Sequence, residues 1–319
     1  MSNMSSDIYY HVSVLPDEVI QYLCCRPGKV FVDCTLGGGG HTHRILNSIA
    51  PDGKLLSIDQ DLSAIKNAQN SFNNNNNLIL IHDNFKNIKS ILQQTGLNTV
   101  DGILADLGLS LFHIRQSGRG FSFLTDEPLD MRMNTTDPIT AKQLIQSLSE
   151  KELETIFKRF GEERFSKQIA KAIVCNRKKA PIETTQQLTT IVENVIPRRI
   201  KATQKIHPAT RIFMAIRIAV NDELKSIQFF LDNVLSCLNP GGRLCVISFH
   251  SLEDRLIKQA MKKWENPCTC PKDLPMCVCQ KHPYGKIVVR KGITPEPVEI
   301  QKNPMSRSAR MRVFEKKSS

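Results

Sequence analysis

Long apolar runs are missing from this chain of 319 residues. No stretch approaches the roughly 18 consecutive apolar residues of a membrane-spanning helix, so such a helix is not expected. The first residues, MSNMSSD, contain no apolar core of the kind that a secretory signal carries. We therefore expect a cytoplasmic protein without a membrane partner.

Acidic residues are also in short supply. The sequence has 31 Asp and Glu against 43 Lys and Arg, which gives a formal net charge of +12. An excess of this sign is typical of proteins with nucleic-acid partners, because contacts with phosphates supply much of their binding affinity. A basic protein that does not bind RNA is the alternative.

The ten cysteines do not predict disulfides, because a chain without a secretory signal is expected in a reducing compartment. Six of them occur singly or on apolar stretches and are typical of core positions: Cys24, Cys25, Cys34, Cys175, Cys237 and Cys245. The other four form a C-x-C-x6-C-x-C pattern at Cys268, Cys270, Cys277 and Cys279. Zinc sites usually space paired thiols more widely, so a reduced loop, a structural metal and regulatory oxidation all stay open, and no metal is assigned.

A further spaced glycine is missing from the glycine-rich turn at 37–40. The sequence VFVDCTLGGGGH (30–41) predicts an apolar strand, a carboxylate and a turn that brings backbone N–H groups close to a polar ligand. The dinucleotide motif G-x-G-x-x-G requires glycine where this chain has Thr42 or His43. S-adenosylmethionine has no pyrophosphate, and a tight glycine turn after an acid suits it better. A flexible loop or a helix cap is the alternative to a binding site.

Five apolar runs predict buried parallel strands, because helix-sized segments separate the first four of them. These runs are Val30–Asp33, 55–59, Leu78–His82, 102–106 and 243–249. The second run ends at Asp59, where an acid is placed to bind both hydroxyls of a ribose. Two short runs near the C-terminus, 287–290 and 310–314, are expected to add an antiparallel edge.

Buried strands are absent from the pattern between 109 and 220, and helices are expected there instead. Ser149 with Glu152, and Thr184 with Gln187, are capping boxes that open two of them. A long segment, 209–238, then returns the chain to the last strand. We predict an α/β fold with an inserted all-helical domain, divided as 1–108 and 216–319 for the α/β part and 109–215 for the insertion.

Ligands of open α/β sheets bind beyond the carboxyl ends of the strands. The ribose of S-adenosylmethionine is therefore assigned to Asp59 and its adenine to Phe85. Asp106 ends the fourth strand and is the candidate catalytic residue, since an acceptor for amine protons would raise the nucleophilicity of an aromatic amine. Any one of these acids is equally well explained as a helix cap. The methionine portion is assigned to Gly38, Gly39, Gly40 and His41.

Eight stretches carry a family resemblance. They are 11–18 (HVSVLPDE), 33–42 (DCTLGGGGHT), 106–110 (DLGLS), 119–123 (RGFSF), 128–133 (PLDMRM), 161–165 (GEERF), 207–211 (HPATR) and 248–255 (SFHSLEDR). Together they resemble the RsmH/MraW family of bacterial methyltransferases, which act on N4 of a cytidine in small-subunit ribosomal RNA. The resemblance implies a Rossmann-like class I methyltransferase sheet, S-adenosylmethionine as the cofactor, and 16S ribosomal RNA in an assembled or near-assembled particle as the partner.

The resemblance also implies particular cofactor contacts. They fall on Gly39, Gly40, His41, Asp59, Phe85 and Asp106. A further contact is implied at His113, where the family usually has Gln, and Leu111 replaces the second serine of the family motif. Imidazole still offers hydrogen-bonding groups, so His113 is kept as a candidate. The Pro-Pro-aromatic motif of many amino-methyltransferases is missing, so the target atom depends on the resemblance alone.

Candidate substrate-binding residues are mostly arginines. Arg119 and Arg132 accompany phenylalanines in 119–133, a composition that suits a flipped base and its phosphates, with a hydrophobic plug as the alternative. Arg211 and Arg217 lie on a predicted helix and are candidates for RNA contacts, although a charged helix face is more often only solvated. His250 follows the fifth strand and is a candidate for positioning the target base.

Two other functions stay open from the residues. A nicotinamide-dependent oxidoreductase is disfavoured by the missing glycine and the basic excess. An RNA-binding protein without catalytic activity is disfavoured because Asp59 and Asp106 are both present. The oligomeric state is not predicted.

Overall fold

The computed structural model describes residues 13–73, 75–203, 206–271 and 278–318. The chain divides into two compact units, the first formed by residues up to Gly108 and from Lys225 onward, the second by Leu109–Leu224. The boundary expected at residue 215 lies within the helix Ala209–Val220, and the second compact unit extends nine residues further, to Leu224. In the described part of the chain, no helix is long and apolar enough to cross a membrane.

The first unit contains a seven-stranded sheet with the order β3-β2-β1-β4-β5-β7-β6. Its strands are β1 Val30–Asp33, β2 Lys54–Asp59, β3 Leu78–His82, β4 Val100–Asp106, β5 Leu238–Ser248, β6 Gly285–Ile287 and β7 Arg310–Lys316. β1 to β5 pair in parallel, whereas β7 pairs antiparallel with both β5 and β6. The predicted α/β fold and its five parallel strands are confirmed.

Helices connect the strands and form the second unit. In chain order they are α1 Pro16–Leu23, α2 Gly40–Ile49, α3 Leu62–Ser71, α4 Ile88–Gln94, α5 Leu111–Arg115, α6 Ala141–Ser147, α7 Glu150–Gly161, α8 Ser166–Arg177, α9 Thr185–Val195, α10 Arg198–Thr203, α11 Ala209–Val220, α12 Glu223–Val234, α13 Ser251–Glu265 and α14 Pro297–Lys302. Short 3-10 turns occur at Phe85–Asn87, Leu235–Cys237 and Pro304–Ser308.

The side chains of the parallel strands are largely apolar along their length, and helices pack against them. Phe31 of β1 and Leu104 of β4 are buried in one cluster with Val19 of α1 and Ile45 of α2. Strands covered in this way lose the alternation of polar and apolar residues that half-exposed strands show. The continuous apolar runs in the sequence are the result.

The second unit has a separate helical core. Phe157 of α7, Ile169 of α8, Leu188 of α9 and Ile212 of α11 belong to one buried cluster. The capping boxes predicted for α7 and α9 are confirmed, because Ser149 and Thr184 each accept a hydrogen bond from the backbone N–H three residues later. These caps satisfy N–H groups that a helix cannot pair internally.

Three details differ from the sequence predictions. The segment 209–238 forms two helices, α11 and α12, because Asp222 between them adopts a left-handed conformation with φ of 49°. The penultimate strand is Gly285–Ile287, where Lys286 opposes Glu315 of β7, and not 287–290. Cys175 is exposed and not part of the core, since it lies on an outer position of α8.

Candidate functional site

The order of the first unit's strands places a crevice beside β1. β1 pairs with β2 on one side and with β4 on the other, so the connections that follow β1 and β4 leave in opposite directions. Open α/β sheets bind ligands at this kind of switch point, beyond the carboxyl ends of the strands. β1, β2 and β4 end at Asp33, Asp59 and Asp106. Three carboxylates therefore border the crevice.

The glycine turn between β1 and α2 has a conformation that requires glycine. Gly37 and Gly39 have φ angles of 50° and 79°. A Cβ atom on Gly39 would lie 2.9 Å from Cε2 of Phe72, closer than packed atoms approach each other. The turn is closed by a hydrogen bond of 2.7 Å from the Gly39 N–H to the Leu36 carbonyl. Gly40 begins α2, and Gly38 is exposed on the turn.

Asp59 holds this turn in place. Its Oδ2 atom accepts a hydrogen bond of 2.8 Å from the Gly37 N–H, and its Oδ1 atom accepts one of 2.8 Å from the Asp61 N–H. A carboxylate in this position is also a suitable acceptor for hydroxyl donors. The glycine turn and the predicted ribose acid are thus one connected structure.

His41 and Asp106 meet where α2 begins and β4 ends. The Nε2 atom of His41 lies 3.5 Å from Oδ2 of Asp106, and the two side chains are only 5% and 13% exposed. Both ring nitrogens of His41 and the Oδ1 atom of Asp106 lack a hydrogen-bond partner among the described residues. Buried polar groups in proteins are almost always paired, so these three atoms mark a place for a polar ligand.

Asp33, at the end of β1, stabilises the turn that carries His41. Its carboxylate accepts hydrogen bonds from the Thr35 N–H at 3.1 Å and from the Thr42 hydroxyl at 2.8 Å. Complete burial raises the pKa of Asp33, although His41 and the bond from Thr42 oppose the rise. The Thr35 hydroxyl in turn accepts from the Asp106 N–H at 2.7 Å. The β1–α2 turn is therefore hydrogen-bonded to the end of β4.

Phe85 and Asp83 follow β3. The ring of Phe85 packs edge-on against Phe230, with 5.4 Å between centroids. Oδ1 of Asp83 accepts from the Asn84 N–H at 2.6 Å and from the Asn87 side chain at 2.8 Å. Asp83 thus caps its own turn, and Phe85 remains the adenine candidate at this strand end.

His250 caps α13 directly after β5. Its Nε2 atom lies 3.1 Å from Oε1 of Glu253, whose side chain is 1% exposed. Glu253 also accepts from the Phe249 N–H at 2.9 Å. Ile247 of β5 pairs in register with Asp106, which places His250 three residues beyond the strand position beside the candidate catalytic acid. A buried capping pair, not detected from the sequence, therefore fixes the His250 ring.

The second unit contains the other candidate residues. His113 is buried, its Nδ1 atom accepts from the Ser110 N–H at 3.4 Å, and its ring centroid lies 5.1 Å from that of Phe121. Arg119 donates to the carbonyls of Arg132 and Met133, both at 3.0 Å. Its guanidinium therefore closes the segment between residues 119 and 133.

Arg132 is bound in the same segment. Nε and Nη2 form a bidentate pair with Asp130 at 2.9 and 2.7 Å, and Nη1 donates to the carbonyls of Thr135 and Asp137. The hydrogen bonds that Arg132 donates to Asp130 raise the pKa of Arg132. Burial opposes ionisation of Asp130, but the bonds from Arg132 still hold its pKa below the usual value. Arg132 is thus tied to its own loop.

Arg211 and Arg217 on α11 have different surroundings. Arg217 forms a bidentate pair with Glu223, with both distances 2.8 Å, and is 14% exposed. Arg211 is 37% exposed and approaches Oε2 of the buried Glu163 only at 3.9 Å. Among these four arginines Arg211 is the most accessible.

Asn221 is a structural residue that sequence reasoning missed. Its Oδ1 atom accepts from the Met133 N–H at 2.7 Å, and its Nδ2 atom donates to the carbonyl of Met131 at 2.8 Å. Met131 has a positive φ of 57°, which non-glycine residues rarely adopt. A buried amide thus braces a strained loop. Nothing in the local pattern around Asn221 signals this role, because both partners are backbone groups far away in sequence.

The four-cysteine motif is described in part. The Sγ atoms of Cys268, Cys270 and Cys279 lie within 4.8 Å of one another. Cys277 lies outside the described residues.

Comparisons with known proteins show the family of this chain. The model of the MraW methylase family matches residues 8–317. A protein of Desulforapulum autotrophicum named ribosomal RNA small subunit methyltransferase H is 50% identical over 96% of this chain and 98% of its own length. A protein of the same name from Desulfosudis oleivorans is 48% identical over 97% and 99%. A solved structure of an rRNA methylase from Streptococcus thermophilus covers 95% of this chain and 94% of its own, with 10% identity and a TM-score of 0.41, too low to carry an argument.

Proposed function

The chain belongs to the MraW methylase family, as its sequence motifs predicted, and we propose from this membership that it transfers a methyl group from S-adenosylmethionine to small-subunit ribosomal RNA. The observation that carries the proposal is the pairing of His41 with Asp106 at the switch point of the sheet, with polar atoms that no described residue satisfies. A polar ligand that donates and accepts hydrogen bonds would satisfy them.

The residues at the crevice fit S-adenosylmethionine. Oδ1 of Asp106 is available to accept from the ammonium of its amino-acid portion, and the imidazole of His41 lies beside it. Asp59 is oriented by its hydrogen bond from the glycine turn, and a carboxylate there suits the hydroxyls of a ribose. Phe85 offers a ring for the adenine. When bound, the cofactor supplies a methyl group attached to a positively charged sulfur.

The chain's own part in the reaction is alignment and proton acceptance. Methyl transfer is an in-line displacement, which depends on holding the nucleophile, the methyl carbon and the leaving sulfur in one line. Asp106 ends β4 and its backbone is fixed by Thr35 and by the parallel register with Ile247. We assign to its carboxylate the acceptance of an amino proton, which increases the nucleophilicity of the amine as the new bond forms.

The finer assignments complete the proposal. By family resemblance the target is the exocyclic N4 of a cytidine in 16S ribosomal RNA, within an assembled or near-assembled particle. His113 is proposed to contact the cofactor in place of the usual Gln, and His250 to position the target base. Arg211 is proposed to contact RNA phosphates, because its guanidinium is the most accessible of the four candidates. The proposed role of the other three arginines, Arg119, Arg132 and Arg217, is to hold the conformation of the second unit.

The test is transfer of a labelled methyl group. The purified chain is incubated with methyl-labelled S-adenosylmethionine and either small ribosomal subunits or free rRNA, and the nucleosides are then identified by mass spectrometry. Labelled N4-methylcytidine is expected, and it should be lost in Asp106→Ala but kept in Asp232→Ala, a substitution on the exposed face of α12. RNA binding without transfer would indicate the catalytically silent alternative. Thermal stabilisation by NAD and not by S-adenosylmethionine would indicate the oxidoreductase.

A further inference from the structure

The connection between α13 and β6 is closed at its base. The N–H of Tyr284 donates to the carbonyl of Trp264 at 2.9 Å. Glu265, the last residue of α13, accepts from the Ile287 N–H at 3.0 Å and pairs with Arg290 at 3.1 Å. Hydrogen bonds that join the end of α13 to Tyr284 and to β6 therefore hold the two ends of the connection together.

The described part of this connection lacks buried residues. None of its described residues, 266–271 and 278–284, is buried. Among the described residues of the connection, the large apolar side chains of Val278 and Tyr284 are 70% and 58% exposed. Chain segments that cannot bury apolar surface need another source of order, commonly a disulfide or a metal ion.

Three thiols converge in this connection. The Sγ atoms of Cys268, Cys270 and Cys279 all lie within 4.8 Å of one another, and those of Cys268 and Cys279 are 3.7 Å apart. A disulfide would require roughly 2.05 Å. Tetrahedral zinc with Zn–S bonds of about 2.3 Å places its sulfur ligands about 3.8 Å apart. The observed separation matches two sulfurs on one zinc ion.

Charge around the thiols is also suitable. Nζ of Lys281 donates to the hydroxyl of Thr269 at 3.3 Å, which places an ammonium group at the residue between Cys268 and Cys270. Three thiolates and one divalent cation carry a net charge of −1, and an adjacent cation lowers the cost of holding that charge.

We propose that Cys268, Cys270 and Cys279 bind a structural zinc ion that orders the connection between α13 and β6. Each thiol gives its proton to solvent as its sulfur binds the metal, with no change of oxidation state. Thiolate ligands also suit iron–sulfur clusters, but the cysteines of a cluster are distributed over several irons, whereas the 3.7 Å between the sulfurs of Cys268 and Cys279 fits two ligands of a single ion. Three thiolates leave one position of a tetrahedral ion for a further ligand.

The first test is metal content. The full chain is purified under reducing conditions without added metal, and zinc and iron are measured by mass spectrometry. About one zinc per chain is expected, with no stoichiometric iron. Cys268→Ser and Cys279→Ser should each lose most of the zinc, whereas Cys175→Ser, which removes an exposed thiol of the second unit, should keep it. Zinc retained in both motif variants, or iron in place of zinc, contradicts the proposal.

A second measurement does not depend on folding of the variants. Wild-type chain is treated with iodoacetamide before and after a chelator, and the alkylated cysteines are located by peptide mass spectrometry. Cys268, Cys270 and Cys279 should be protected at first and become reactive after chelation, while Cys175 reacts equally in both samples. Equal alkylation of these three cysteines in both samples overturns the proposal. A Cys268–Cys279 disulfide in a chain that binds no zinc when zinc chloride is added also overturns it. Neither result bears on methyl transfer.

Discussion

The imidazole of His41 and the carboxylate of Asp106 lie 3.5 Å apart, although they belong to different connections of the sheet. His41 is placed by the glycine turn that starts α2, and Asp106 by the end of β4. Both ring nitrogens of His41 and the Oδ1 atom of Asp106 are buried and have no hydrogen-bond partner among the described residues. The pair is therefore pre-positioned for a ligand, and its geometry depends on both the glycine turn and the strand register.

Replacing Asp106 with Asn should separate charge from shape. The amide keeps the volume of the side chain but is a poor acceptor for an amine proton, so kcat for methyl transfer should fall on the order of 10²-fold. The dissociation constant for S-adenosylmethionine should change less, because the ribose and adenine candidates are intact. Steady-state kinetics and calorimetric titration give the two quantities. Asp232→Asn is the control, and a kcat within twofold of wild type in Asp106→Asn would remove the acid from the proposed mechanism.

Replacing Gly39 with Ala should affect the cofactor site more than the same change at Gly96. Both glycines have φ angles in the left-handed region, 79° and 73°, so both substitutions carry a similar backbone cost of about 1 kcal/mol. Only at Gly39 does the added Cβ meet Phe72, at 2.9 Å, whereas nothing lies within 4 Å at Gly96. We expect Gly39→Ala to weaken S-adenosylmethionine binding and to lower the melting temperature further than Gly96→Ala. Equal effects of the two substitutions would show that the contact with Phe72 is unimportant.

Much of the first unit could be predicted because its signals are local. Parallel strands that are covered on both faces are apolar throughout, and their carboxyl ends meet at one edge of the sheet. The positions of Asp33, Asp59 and Asp106 at strand ends follow from this pattern alone. Short edge strands carry a weaker signal, and β6 was misplaced for that reason.

The second unit shows what the sequence could not predict. Arg119 and Arg132 stand among phenylalanines, as nucleic-acid-binding arginines do, yet their guanidinium groups bind carbonyls and Asp130 within their own loop. Asn221 binds Met131 and Met133, which are distant in sequence. Hydrogen bonds to backbone groups leave no trace in residue type, so only the folded chain identifies them.

Asp33 and Asp101 should give opposite pH dependences of stability. Burial raises the pKa of Asp33, so the folded state binds more protons above the ordinary carboxyl pKa, and the free energy of unfolding falls as pH rises through that window. Burial also opposes ionisation of Asp101, but its hydrogen bonds from Val30, Asn239 and Lys29 lower its pKa, so its stabilisation is lost as pH falls through the lowered value.

Substitution with Asn removes each titration. Relative to wild type, Asp33→Asn should become progressively more stable as the pH increases from about 4 toward neutrality. Asp101→Asn should become progressively less stable than wild type as the pH increases from acidic values up to about 4. Urea unfolding at several pH values measures both slopes. A difference for Asp33→Asn that is flat or of the opposite sign would mean that this carboxyl does not titrate upward in the folded chain.

Asn221→Ala should destabilise the second unit strongly. The change leaves the Met133 N–H and the Met131 carbonyl buried without their partner, and unpaired buried groups cost about 1–3 kcal/mol each. We expect the free energy of unfolding to fall by about 2–4 kcal/mol in urea titrations. Asn176→Ala is the matched control, because Asn176 is exposed and donates only to a carbonyl of its own helix, as Asn221 also does to Arg217.

Asn221→Asp distinguishes the two halves of this amide. A carboxylate still accepts from the Met133 N–H but no longer donates to the Met131 carbonyl, which holds the positive φ of that residue. If bracing of Met131 is the main contribution, Asp should be nearly as destabilising as Ala and should also slow methyl transfer to ribosomal subunits. A loss no greater than that of Asn176→Ala for either variant would show that the loop holds its conformation without the amide.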